Sequence, residues 1–190
     1  MKYLTRTHKL RKDVMLAPVD KLLGELVVDD EWLECEHTNR LLGYGKGVPG
    51  IVTAKEHFAG AISGDNGNWA LGVYRSGWPV GYVILSPGPS ARRSVRFTMM
   101  LEEKSRGVGL APTALSLLAD EMLQRGAFYR LETEVFSTNK RAIKWLRHEG
   151  FTQEGFTRHS WWSDDEPHST VILRMLAPHW RRMNRQEEVA

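Results

Sequence analysis

Apolar and polar residues are arranged along the chain in short stretches that predict strands. The predicted strands are residues 12–20, 68–74, 79–85, 94–101, 130–136, 151–162 and 169–176. The turn "RSGW" and the break Pro87-Gly88-Pro89 separate the second, third and fourth stretches, which predicts a meander. The polar turn "SDDEPH" joins the last two stretches into a hairpin.

Helical spacing fills the segments between these strands. From Gly109 to Gln124 the apolar residues recur at intervals of three and four, on one helical face. Further helices are predicted over "NKRAIKWLRHEG", "KLLGELV" after the cap Asp20, and "TAKEHFAGAI" after the cap Thr53, while glycine-rich residues 33–50 predict a loop or broken helix. The order strand, helices, three strands, helix, strand, helix, two strands predicts a mixed α/β or α+β layered fold.

The composition narrows the class of protein. With 190 residues, 42% hydrophobic and 26% charged, we expect one globular domain over residues 1–176 and a basic tail over 177–190, docked or loose. No apolar run approaches the ~20 residues of a membrane span, and the N-terminus lacks the apolar stretch of a signal peptide. Cys35 is the only cysteine, which excludes an internal disulfide. We therefore expect a cytoplasmic protein.

The charge distribution adds little to this picture. The net charge is +3, with two arginine clusters, one of Arg92, Arg93 and Arg96 and one of Arg181, Arg182 and Arg185. Both clusters fit a solvated surface. The more specific alternative is that they bind an anionic cofactor, an acidic protein or a nucleic acid. Because no nucleic-acid-binding motif accompanies the clusters, we do not expect a nucleic acid partner. The run "HSWWSDDEPH" fits a hairpin better than a metal site, since its histidines and aspartates alternate between the two faces of a strand. Trp161 and Trp162 are neighbours in this run and point to opposite faces, so at most one of them is expected in the core.

The turn "SRGVGLAPTAL", residues 105–115, carries the candidate chemistry. Its glycines lie between a predicted strand and a predicted helix, where backbone N–H groups can hold a phosphate. A P-loop would need Lys and Ser or Thr after Gly109, where the chain has Leu110 and Ala111. The dinucleotide fingerprint would need a third glycine where the chain has Pro112. Both nucleotide motifs are therefore excluded.

Two motifs together resemble the GCN5-related N-acetyltransferase (GNAT) superfamily. Arg106, Gly109 and Ala111 match its pyrophosphate loop, Arg/Gln-x-x-Gly-x-Gly/Ala. The run "EVFSTNKRAIKWLRHEGFTQEG" is similar to the strand, helix and strand that follow, with Asn139 at the strand end, Gly150-Phe151 after the helix and Glu154-Gly155 beyond. The resemblance covers residues 69–180, and the ending "TVILRMLAPHW" is similar to the branch of ribosomal-protein and protein N-terminal acetyltransferases.

The resemblance implies a fold and a co-substrate site. The fold is a mixed, mostly antiparallel seven-stranded sheet flanked by helices, with a V-shaped split between the fourth and fifth strands that binds acetyl-CoA. The pantetheine would pair with strand backbone, a loop would hold the pyrophosphate, and one side chain would bind the pantetheine arm or order the strand end. The strand residues that would pair with the pantetheine are Met99, Met100 and Leu101, and the side chain at the strand end is Asn139. The loop that would hold the pyrophosphate consists of Arg106, Gly107, Val108, Gly109, Leu110 and Ala111.

The resemblance also implies a catalytic base, while the catalytic acid is missing. Glu134 lies where ribosomal-protein acetyltransferases carry a catalytic glutamate, although Glu132 and Glu134 also fit the solvated side of an alternating strand. The family's tyrosine position holds Leu146 and its alternative serine position holds Ala142, and neither residue can donate a proton. Ser137, Tyr129 and His148 lie nearby in sequence without an assigned role.

Two functions from different classes remain open at this point. The first is an acetyl-CoA-dependent N-acetyltransferase whose acceptor is an amine, such as the N-terminus or a lysine of a protein. The second is a catalytically weak GNAT-like protein that binds acetyl-CoA or CoA and modulates a protein partner. We expect no membrane association and no metal, and a monomer or a homodimer.

Overall fold

The computed structural model describes residues 12–19, 39, 40, 42, 54–64, 67–125, 128–163 and 166–187. Seven strands form a single mixed sheet in the order β1-β2-β3-β4-β5-β7-β6. All neighbouring strands are antiparallel except β4 and β5, which are parallel. This confirms the predicted fold class. The strands are β1 Val14–Pro18, β2 Trp69–Arg75, β3 Trp78–Pro87, β4 Ser94–Leu101, β5 Arg130–Phe136, β6 Thr152–Ser163 and β7 Glu166–Leu176.

The first three described helices occur where the helical spacing predicts them, whereas the fourth lies in the segment predicted only as a tail. They are α1 Ala54–Ser63, α2 Leu110–Ala119, α3 Lys140–His148 and α4 Ala177–Glu187, and a π-helical turn, Asp120–Gln124, extends α2. The predicted helix after Asp20, the cap Thr53 and most of the glycine-rich stretch 33–50 lie outside the described residues. In the part of the chain that the structure describes, no helix has both the length and the apolar character needed to cross a membrane.

Two hydrophobic cores lie on opposite faces of the sheet because alternate strand residues point to opposite sides. Val83 and Leu85 of β3 join the larger core, which contains α2, α3 and the start of α4. Tyr82 and Ile84 join the smaller core under α1. We call the first side of the sheet the helix face and the second the open face; of the described helices, α1 packs on the second, over β2, β3 and the end of β4.

The segment expected to be a basic tail begins as part of the core. Its helix α4 buries Trp180 completely. The Trp180 indole Nε1 donates to Asp120 Oδ1 at 2.7 Å, and Asn184 Nδ2 donates to the same oxygen at 2.9 Å. Arg181 donates to the carbonyl of Leu123 at 3.0 Å. The hydrophobic core therefore extends past residue 176 to Trp180.

A split between β4 and β5 is the feature of the sheet that forms the site. The two strands pair only from Ser94↔Arg130 to Arg96↔Glu132. Beyond that point β4 stays with β3 as far as Leu101, and β5 stays with β7 as far as Phe136. Arg93, in the left-handed region at φ 45°, fixes the closed end, since its carbonyl accepts from the amides of Tyr129 and Arg130 at 2.7 and 3.2 Å.

Candidate functional site

A cavity of about 850 Å³ occupies the split and is lined from both faces of the sheet. From the helix face it is lined mostly by apolar side chains, among them Met99, Val135, Ala142, Trp145 and Leu146. From the open face it is lined by charged and hydroxyl side chains, among them Arg96, Glu132, Glu134, Thr170 and Arg174. The cavity can therefore receive an apolar chain from one side and a polar molecule from the other.

Glu134 lies on the open face beside the split. Its Oε1 accepts a hydrogen bond from the hydroxyl of Thr170 on β7, and its Oε2 lies 3.6 Å from Nη1 of Arg96 on β4. The side chain is 25% exposed, so a ligand in the cavity can reach it. The Thr170 hydroxyl lies 3.0 Å from Ser160 Oγ. Ser160 Oγ also donates to the carbonyl of Thr157 at 3.4 Å.

Glu132, the other carboxylate that lines the cavity, takes part in a second group of ion pairs on the open face. Glu132 Oε1 lies 3.7 Å from Arg130 Nε, and Glu132 Oε2 lies 3.4 Å from Arg174 Nε. Both guanidinium groups also contact Glu154 on β6. The hydrogen bond to Glu154 raises the pKa of Arg174 above its ordinary value; burial lowers it, and the charges of Glu132 and Glu154 add to the rise. The carboxylates of Glu132 and Glu154 are therefore neutralised by the guanidinium groups of Arg130 and Arg174.

The glycine loop lies at the C-terminal end of β4. Gly107 and Gly109 have φ of +79° and +83°, a region that side chains rarely adopt, and Gly109 is the N-cap of α2. The amides of the first helical turn have no partner within the helix and form the positive end of its dipole. Arg106 is half-buried, and its Nε donates to the Leu101 carbonyl at 2.8 Å, which ties the loop to the strand.

The predicted co-substrate residues occupy three settings. Met99 and Asn139 line the cavity, and Asn139 Oδ1 also accepts from the Ala142 amide at 3.1 Å, which caps α3. The side chains of Met100 and Leu101 are buried in opposite cores, so only their backbone can face a ligand. Residues 106–111 lie outside the cavity lining, with Gly107, Val108 and Gly109 exposed and Leu110 buried.

The positions without a proton donor do face the cavity. Ala142 and Leu146 both line it, so a donor at either position would lie beside a bound ligand. Ser137, Tyr129 and His148 are absent from the described residues that line the cavity. His148 Nδ1 instead lies 3.6 Å from the buried carboxyl of Glu149.

Aromatic side chains border the cavity at the end of β5. Phe136 stacks on His168 with ring centroids 5.2 Å apart and meets the edge of Trp161 at 6.3 Å. Both Trp161 and Trp162 are exposed, at 41% and 51%, so neither belongs to the core. An irregular pairing between Thr157 and Trp161 shifts β6 here. Asp164 and Asp165 of the same hairpin lie outside the described residues.

Three residues of this site do not follow from sequence reasoning. Arg141 on α3 extends over the glycine loop, with Nη2 3.6 Å from where a Cβ on Gly107 would lie. Thr170 reaches Glu134 only through the pairing of β5 with β7. His57 on α1 lines the cavity, and burial lowers its pKa below 6.5. The position of Arg141 two residues after Asn139 is the only local signal among these.

Comparisons with known proteins agree with this fold. Residues 25–151 match the model of the acetyltransferase (GNAT) family. A spermidine N-acetyltransferase from Vibrio cholerae, solved with CoA and spermine, is 14% identical with a TM-score of 0.75, over 90% of this chain and 99% of that one. A ribosomal L7/L12 α-N-protein acetyltransferase, solved with CoA, is 14% identical with a TM-score of 0.72, over 88% and 96%. No curated protein matches the sequence significantly.

Proposed function

Because residues 25–151 match its model, the chain belongs to the acetyltransferase (GNAT) family, and we propose that it transfers the acetyl group of acetyl-CoA to an amine. One observation carries the proposal: the cavity between β4 and β5 is apolar toward α3 and carries the carboxylate of Glu134 on the open face. This arrangement brings a thioester and an amine together from opposite sides of the sheet.

The chain's own residues fit acetyl-CoA in two ways. The glycine loop presents exposed backbone beside the start of α2, and Arg141 adds a guanidinium over Gly107. Together they offer the amide donors and the positive charge that a pyrophosphate needs. The apolar lining from Met99 to Leu146 suits the pantetheine arm, with Asn139 as its polar contact.

Glu134 is the proposed general base. An amine that enters from the open face gives one proton to the Glu134 carboxylate, which lies next to the cavity and is held by Thr170 and Arg96. The neutral nitrogen then attacks the thioester carbonyl, a C–N bond forms, the nitrogen releases its second proton to solvent, and the C–S bond breaks. The thiolate leaves and takes a proton from solvent, because a free cysteine-like thiol has a pKa of about 8.5 and needs no strong acid.

A second candidate function has its own supporting observation. Ala142 and Leu146 face the cavity without a donor, and Glu134 is paired with Arg96. Both features fit a protein that binds acetyl-CoA, turns it over poorly and acts by modulating a protein partner. Acetyl-CoA binding is common to both functions, so turnover separates them.

Calorimetry with acetyl-CoA, followed by a thiol-release assay over primary amines and peptides with free N-termini, tests the proposal. We expect binding and turnover, with kcat reduced about 10²- to 10⁴-fold in Glu134→Gln and binding retained. Glu121→Gln is the matched control, since Glu121 is exposed and paired with Arg125 away from the cavity lining.

The outcomes separate the candidates. Failure of acetyl-CoA to bind would contradict both functions. Binding without release of CoA across the whole amine panel would favour the second function. A Glu134→Gln variant as active as Glu121→Gln would remove the base assignment.

A further inference from the structure

We propose that the acceptor is an amine that also carries a carboxylate or phosphate group, and that Arg92 and Arg96 bind this anion. The inference rests on the function proposed above and names the chemical class of its acceptor. It concerns the end of the cavity nearest the closed end of the split, where Arg92 and Arg96 line it beside the β3–β4 connection.

The charges of the cavity disfavour a polycationic acceptor. Both carboxylates that line it are already engaged, Glu132 by Arg130 and Arg174, and Glu134 by Arg96 and Thr170. A second ammonium group on the acceptor would therefore have no unpaired carboxylate among the described lining residues. Among the described lining residues four arginines face two glutamates, and Glu154 outside the lining also pairs with Arg130 and Arg174, so one positive charge is left in surplus and a negative charge is favoured there.

Arg92 supplies the surplus positive charge. It lies in the short 3-10 helix Ser90–Arg92 before β4, its side chain is exposed, and it forms no ion pair with any described residue. Arg96 is 54% exposed and its contact with Glu134 is long, at 3.6 Å. Both guanidinium groups can therefore turn toward a ligand, and a guanidinium binds carboxylate or phosphate through two parallel hydrogen bonds.

The position of these arginines separates them from the phosphates of acetyl-CoA. Arg96 lies five residues before Leu101 on β4, so a rise of about 3.3 Å per residue places it roughly 16 Å from the start of the glycine loop. Arg92 is farther still. An anion at this end of the cavity therefore belongs to the acceptor.

The contact between Arg96 and Glu134 limits the size of the acceptor. Its amine must lie within hydrogen-bond distance of Glu134, and its anion within the same distance of Arg96. With the 3.6 Å between the two side chains, amine and anion are at most about 10 Å apart. A short amino acid or amino phosphate fits this span, as does a peptide N-terminus followed by an acidic residue.

Bisubstrate conjugates test the acceptor class by binding alone. CoA is joined through an acetyl linker to the nitrogen of 4-aminobutyrate, butylamine, 1,4-diaminobutane or O-phosphoethanolamine, and each conjugate is titrated into the full chain by calorimetry. The first three share a nitrogen and three methylenes and differ only in ending in a carboxylate, a methyl or an ammoniomethyl group. We expect an anionic conjugate to bind about tenfold more tightly than the neutral one, and the ammonium conjugate to bind most weakly. The carboxylate and phosphate arms identify which anion is preferred.

Variants assign the preference to its residue. In Arg92→Gln we expect most of the anionic preference to disappear while CoA itself binds as in the wild type, and in Arg92→Glu the ammonium conjugate should gain. Arg93→Gln is the matched control, because Arg93 is the next residue, is exposed and does not line the cavity.

The outcomes distinguish the proposed function, the acceptor class and the assignment of Arg92. Failure of CoA and all conjugates to bind would overturn the proposed function and this inference with it. Normal CoA binding with equal affinities for the conjugates, or with the ammonium conjugate tightest, would overturn the inference and leave the proposed function standing. Loss of the preference in Arg93→Gln but not in Arg92→Gln would overturn the assignment of Arg92.

Discussion

The hydrogen bond from Thr170 to Glu134 gives the most direct test of the proposed base. Thr170 is only 2% exposed and donates its single hydroxyl proton to Glu134 Oε1, and Ser160 Oγ lies 3.0 Å from the Thr170 hydroxyl. Thr170→Val removes this donor at nearly constant volume, and valine suits strand β7. Glu134 then keeps only the longer contact with Arg96 and is free to turn away from the cavity.

The magnitude follows from the kind of bond that is lost. A hydrogen bond to a charged group contributes about 1.5–3 kcal/mol, and about 1.4 kcal/mol corresponds to a factor of ten in rate. If the bond holds Glu134 in the position where it takes the proton, kcat/KM falls about 10- to 100-fold. The affinity for acetyl-CoA should stay unchanged, because Thr170 holds Glu134 from the open face, whereas the apolar lining proposed for the pantetheine, with Met99 and Leu146, lies on the helix face.

Thiol release with the acceptor on which the wild type is most active measures the effect, and urea unfolding confirms that the variants fold. Thr170→Ser keeps the donor and is the matched control, so it should retain most of the activity. Equal activity of Thr170→Val and Thr170→Ser would refute the reasoning. An equal loss in both would also refute it, since packing and not the hydroxyl would then be responsible.

Three further predictions concern the rest of the molecule. Arg141→Gln should weaken CoA binding about three- to tenfold in calorimetry, because a guanidinium leaves the glycine loop, and an unchanged affinity would exclude Arg141 from the phosphate site. Trp180→Phe should lower the free energy of unfolding by about 1–3 kcal/mol in urea titrations, because Asp120 loses a buried donor at 2.7 Å; a variant as stable as the wild type would contradict the docking of α4. Burial lowers the pKa of His57 and of His179 below the ordinary 6.5, so the unfolded chain binds more protons than the folded chain. The free energy of unfolding, measured in urea, should therefore fall as the pH drops below 6.5. Replacing both histidines by glutamine should flatten this pH dependence, and an unchanged dependence would assign it to other groups.

The sequence alone determined the elements nearest the site. The bounds predicted for β4 and β5, residues 94–101 and 130–136, agree with the structure. In each of these strands apolar and polar residues alternate between the two faces, and this alternation can be seen in a few neighbouring residues without knowledge of the fold. The glycine loop follows for a similar reason, because φ of +79° and +83° needs glycine at Gly107 and Gly109 whatever the rest of the fold does.

The tertiary structure decided what these elements form together. The split exists because β4 and β5 pair over only three residues, and no pattern within either strand specifies where a partner leaves it. Thr170 meets Glu134 across 36 residues of chain, and Arg96 meets it across the split. Trp180 could be assigned to the core only once Asp120 was known to lie opposite it. Contacts of this kind depend on register and packing between distant segments, whereas propensity and periodicity act over a few neighbouring residues.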